Sequence, residues 1–207
     1  KLFLDSFHQI LFLILPASAI LAILRIPTVR LIFGAKELPW EITVLTGRTL
    51  IAFSFGIAAA ALSILITRGF HAARDSITPV KVNLATATIN ITLSLTFIFV
   101  FHSSIIWLAV AFSFANILNF FLMIYLLDKK VGGFGRRALI IPTLKMLLIT
   151  AITAVALYIP MKLLDQLVFD TTKNVGLITL TSIATFSGLF VYGFLSWVFN
   201  VEQLYIY

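Results

Sequence analysis

Six runs of roughly 20 or more apolar residues, each bounded by charge, proline or glycine, constrain this chain more than any other feature. A hydrocarbon core of about 30 Å is crossed by roughly 20 helical residues at 1.5 Å rise. The runs fall at residues 7–33, 49–67, 80–101, 105–127, 139–160 and 175–200. Strands of a membrane barrel are about half as long and alternate apolar with polar residues, which these runs do not. The spacing therefore predicts an all-α, polytopic membrane protein with six transmembrane helices. Composition agrees: 61% of the 207 residues are hydrophobic and 11% charged, against about half and about a quarter in ordinary globular chains.

Charge then gives an orientation. Lys1, Arg68, Arg74, Lys81, Lys129, Lys130, Arg136 and Arg137 fall on one side of six spans. Arg30, Lys36, Arg48, Lys162 and Lys173 fall on the other, partly offset by Glu37, Glu41, Asp165 and Asp170. The positive-inside rule places loops 68–79 and 128–138 in the cytoplasm. The net charge of +7 is then topological, and no nucleic-acid partner is expected. Gly132, Gly133 and Gly135 among basic residues mark 128–138 as a hinge between a four-helix part (1–127) and a two-helix appendix (139–207). The chain begins at Lys1, and an N-terminal portion ahead of it is expected.

Inside a bilayer the polar side chains are the informative ones, because each needs a partner, a cavity or the interface. Asn83, Ala87, Asn90 and Ser94 lie on one face of the third span, and Ser113, Asn116 and Asn119 recur along the fourth. These stripes either hydrogen-bond the two helices together or line a hydrated pathway that can hold a cation. Gly56, Ala60, Ser63 and Thr67 in span two, and Thr181, Thr185 and Gly188 in span six, make small faces suited to close helix packing. Arg25 and Arg30 flank Pro27. Either both snorkel to the outer headgroups, or Pro27 bends the helix end so that one arginine faces a cavity and an anionic lipid headgroup.

Catalytic chemistry finds little support. His71 and Asp75 are separated by three residues, not the four of acyltransferase motifs, and Asp75 reads as part of a loop with Thr78 as N-cap and Pro79 in the first helical turn. His8 and His102 stand alone, there is no cysteine, and no metal centre or cofactor is expected.

The run Arg68-Gly-Phe-His-Ala-Ala-Arg-Asp-Ser-Ile-Thr-Pro-Val80 resembles the "R-x-F-Y-A-x-x-D-T-x-T-P-V" motif of the MurJ (MviN) lipid II flippases. Phe70, Ala72, Asp75, Thr78 and Pro79 match, with His71 for Tyr and Ser76 for Thr. Leu15-Pro16, the stretch from Pro27 to Gly34, Asn90, and the pattern from Leu108 to Asn119 are also similar to that family. The resemblance implies the C-terminal part of a fourteen-span protein of the multidrug/oligosaccharidyl-lipid/polysaccharide exporter superfamily. The six spans would be most of the second lobe plus two extra helices. It further implies transport of an undecaprenyl-pyrophosphate-linked peptidoglycan precursor across the cytoplasmic membrane by alternating access, with the N-terminal lobe and membrane lipids as partners. A sodium site found in some members retains Asn90 alone, since Ser94 and Phe112 replace its other side chains. An exporter of another lipid-linked saccharide or of a drug, a polyprenyl-lipid enzyme and a structural membrane module are the alternative readings.

Overall fold

A computed structural model describes residues 2–34, 38–102, 104–133, 135–167, 174–201 and 203. The described residues form helices and no strand: α1 (Leu2–Ile23), α2 (Arg25–Phe33), α3 (Trp40–Ala72), α4 (Ile77–Leu95), α5 (Ile106–Val131), α6 (Arg136–Leu167) and α7 (Asn174–Val198). One π-helical turn, Thr96–Val100, extends α4. Six stretches among them are long and apolar enough to cross a membrane: Leu2–Ile23, Trp40–Ala72, Ile77–Val100, Ile106–Val131, Arg137–Ile159 and Gly176–Val198.

The first predicted span is two helices. Pro27 has no N–H for the carbonyl of Ile23, and its ring crowds that carbonyl, so α1 ends at Ile23 and α2 starts at Arg25. The main chain keeps its bonds across the break, Leu24 to Ile20 and Thr28 to Leu24, both at 2.8 Å. Gly132 terminates α5 in a left-handed conformation (φ 86°), and the N–H groups of Gly132 and Gly133 both reach the carbonyl of Asp128.

Two compact units share the helices. One comprises Lys1–Ile14 and Ala52–Thr143, with α4 and α5 paired along their length. Its core gathers Ile66, Phe70, Met123 and Leu127, flanked by Phe3, Val82 and Phe120. Here α3 and α5 come close at Gly56. A Cβ on Gly56 would meet Ser113 Oγ at 2.7 Å and its Cα at 2.9 Å, and Ser113 Oγ donates to the carbonyl of Ala52 at 2.5 Å. The other unit comprises Leu15–Ile51 and Leu144–Tyr207, with α2 against α7 and a core of Leu24, Leu157 and Ala184.

Candidate functional site

The loop between α3 and α4 is built around Asp75. Its Oδ1 accepts from the backbone N–H groups of Ile77 (3.1 Å) and Thr78 (3.0 Å), and its Oδ2 accepts from the Thr78 hydroxyl (2.7 Å). Asp75 therefore caps α4. The expected N-cap, Thr78, lies inside the first turn instead, because a carboxylate one position before Ser76 already satisfies the exposed N–H groups. Lys130, near the end of α5, pairs with the same carboxylate. That ion pair, reinforced by the bonds from Thr78, holds the Asp75 carboxyl well below the usual carboxylate range. Phe70 is buried in the core, Pro79 is buried at the start of α4, and Ala72 and His71 are exposed. The bonds of Asp75 run to Ile77, Thr78 and Lys130, and the motif joins three helices of one unit.

Between α4 and α5 lies a hollow of about 210 Å³ lined by Asn83, Thr86, Ala87, Asn90, Phe112, Ala115, Asn116 and Asn119. At its floor the Nδ2 of Asn119 donates to Asn83 Oδ1 (2.7 Å) and to Thr86 Oγ1 (2.8 Å). Ser94 Oγ donates to Asn90 Oδ1 (3.3 Å), and Asn116 Nδ2 donates to the Phe112 carbonyl (2.9 Å). The two polar stripes meet through Asn119, while Asn116 bonds back to its own helix. Ser113 does not join them, because it turns to the α3 backbone. Thr86, buried and central here, carried no signal in the sequence: threonines recur throughout α4, and Thr88 and Thr92 simply bond their own helix.

The structure separates Arg25 from Arg30. The stem of Arg25 lies beside Gly47. Arg30 lines a pocket of about 260 Å³ with Ile26, Pro27, Trp40, Met161, Leu177 and Leu180. Its guanidinium carbon stands 5.7 Å from the centre of the Trp40 ring, within cation–π range. Trp40 comes from the start of the next helix, and Met161 and Leu177 lie more than 130 residues from Arg30, so only the folded unit brings them to it. Among the described residues no three His, Cys, Asp or Glu side chains come together as a metal site.

A solved structure titled "Lipid II flippase MurJ, inward closed conformation" superimposes on 98% of this chain with a TM-score of 0.73 at 22% identity. At that identity the likeness shows the fold, and the chain covers 39% of that structure's length. No curated protein matches. The family model for the lipid II flippase MurJ matches residues 1–186, from the start of α1 into α7. By that match, which covers most of the sequence and all of α1 to α6, the chain belongs to the MurJ lipid II flippase family.

Proposed function

We propose that this chain takes part in moving a lipid-linked peptidoglycan precursor from the cytoplasmic to the outer leaflet, as the C-terminal part of a flippase that works by alternating access. The observation that carries the reading is the family match over residues 1–186, laid on six helices able to span a membrane. A sugar-pyrophosphate head cannot cross hydrocarbon unaided, because buried charge is expensive. A polar route that opens first to one side and then to the other lowers that barrier without covalent chemistry. The chain is in this reading a transporter component and not an enzyme.

The site residues take their roles within it. Loops 68–79 and 128–138 face the cytoplasm, where Asp75, Thr78 and Lys130 fasten α4 and α5 to the end of α3. The polar lining at Asn83, Asn90, Ser94 and Asn116 faces the route, and Asn90 is the one sodium ligand kept. Arg25 and Arg30, at separate places near the outer surface, serve anionic headgroups. Residues 1–127 supply four spans of the second lobe, 128–138 the hinge and 139–207 the two-helix appendix, with the rest of the transporter supplying the opposite wall.

Complementation tests this. In a strain depleted of its lipid II flippase, the gene carrying this chain together with an N-terminal lobe restores growth, and this chain alone does not. Failure of the longer version despite normal membrane levels overturns the assigned substrate.

A further inference from the structure

We propose that Lys145, inside the membrane span of α6, receives the diphosphate of the lipid-linked substrate as it leaves the cytoplasmic leaflet. The inference deepens the flippase reading and rests on it. Lys145 lies eight residues beyond Arg137, the first residue of the span, and so about 12 Å along it at 1.5 Å per residue. Charged side chains are rare at such depths, because lipid solvates them poorly, and they mark the pathways of charged substrates.

Among the described residues Lys145 has no counter-charge. No Asp or Glu occurs in the span Arg137–Ile159 or in α7, and no ion pair or hydrogen bond joins Lys145 to another described residue. Packing does not account for it either. Met146, Ile149 and Leu157 are the buried face of α6, whereas Lys145 is exposed on a stripe with Ile141, Leu148, Ile152 and Val155, at spacings of three and four. A cation on an otherwise apolar, exposed stripe contributes nothing to the core of this chain.

Depth separates two sources of phosphate. The Cα–Cβ bond of a helical residue tilts toward the helix N-terminus, which for α6 is the cytoplasmic end, so the ammonium leans toward the inner leaflet. It does not reach the level of Arg137, because two helical turns are about 11 Å, longer than a four-carbon stem. Phospholipid headgroups stay at that outer level of the span, and a headgroup in transit passes below it. An ammonium carries three donors and no acceptor, which suits the oxygens of a diphosphate.

The test is lipid II binding by this chain joined to an N-terminal lobe, in nanodiscs of phosphatidylcholine. Lys145→Met and Lys145→Gln, which leave the buried face of α6 intact, each raise the Kd about tenfold, the loss of one charge-assisted contact. Lys145→Arg keeps most of the affinity. Lys162→Met, at an exposed lysine of α6 beyond the other end of the span, leaves it unchanged. Undecaprenol, which lacks the diphosphate, binds the natural protein and Lys145→Met alike. Equal Kd values for lipid II in the natural protein and both neutral variants overturn this inference alone, whereas no binding by the natural protein overturns the flippase reading with it. A difference that disappears once phosphatidylglycerol is added assigns Lys145 to ordinary headgroups and overturns the inference. So does a requirement for the charge in assembly, seen if Lys145→Arg folds in the membrane and neither neutral variant does.

Discussion

Lys130, in the last turn of α5, pairs with the carboxylate of Asp75, the same carboxylate that caps the first turn of α4. One acidic side chain thus fixes where α4 begins and ties it to the end of α5. Removing each function separately distinguishes them. Asp75→Asn keeps an acceptor for the α4 N–H groups and loses the ion pair, whereas Asp75→Ala loses both. The melting temperature in detergent therefore falls further for Asp75→Ala than for Asp75→Asn, and Lys130→Met resembles Asp75→Asn.

The same carboxylate gives a pH dependence of known sign. Its folded value is depressed by Lys130 and Thr78, while the unfolded carboxyl titrates at about 3.9. The stabilisation is complete above the unfolded value and is lost as pH falls through the folded one. Thermal unfolding of the natural chain thus shifts down more steeply in acid than that of Asp75→Asn, and the two curves converge at the lowest pH. Parallel curves contradict the assignment.

Gly56→Ala destabilises the α3–α5 contact by about 1–3 kcal/mol, the cost of overpacking a close-packed interior. The added methyl meets Ser113 Cα, a backbone atom, at 2.9 Å as well as Oγ at 2.7 Å. Ser113→Ala alone loses one interhelical bond, worth about 0.6 kcal/mol. It does not rescue Gly56→Ala, because the backbone clash remains. Equilibrium unfolding of the two single variants and the double variant measures this, and full rescue refutes it.

Asn119→Ala removes both bonds that join α5 to α4 at the floor of the hollow. At about 0.6 kcal/mol per membrane hydrogen bond, with a maximum near 1.7, the loss is about 1–2 kcal/mol. Thr86→Val costs less, since Asn119 keeps Asn83. A double-mutant cycle between residues 86 and 119 returns a coupling of about 0.6 kcal/mol, and additivity would contradict the bond.

Arg30 and Trp40 are coupled by about 0.5–1 kcal/mol, the range of exposed cation–π pairs. Arg30→Lys keeps part of that coupling and Arg30→Ala none of it. Unfolding of Arg30→Ala, Trp40→Ala and the pair measures the coupling directly.

Much of this was legible in the sequence because lipid imposes a simple code. Length and apolarity alone marked the six spans, and the loop motif at Phe70, Asp75, Thr78 and Pro79 marked the family. The break at Leu24 was half legible: Pro27 announced a bend, but Pro16 sits inside α1 without ending it, so proline by itself does not say where a helix stops. Partners on different helices were not legible. Nothing local in Lys130 points to Asp75, nor in Trp40 to Arg30, since each pairing depends on helix packing. Ser113 shared its spacing with Asn116 and Asn119, yet the close approach permitted by Gly56 turned it toward α3.

The proposed role places the chain in machinery that carries a lipid-linked cell-wall precursor between leaflets. The most direct measurement is the amount of lipid II exposed on the outer leaflet, read with a lipid II-binding reagent that cannot cross the membrane, in cells whose own flippase has been depleted. Expression of the protein carrying this chain together with an N-terminal lobe restores the exposed signal, and Asp75→Ala in that protein lowers it. An outer-leaflet signal that stays at the depleted level, with the protein folded in the membrane, contradicts the account.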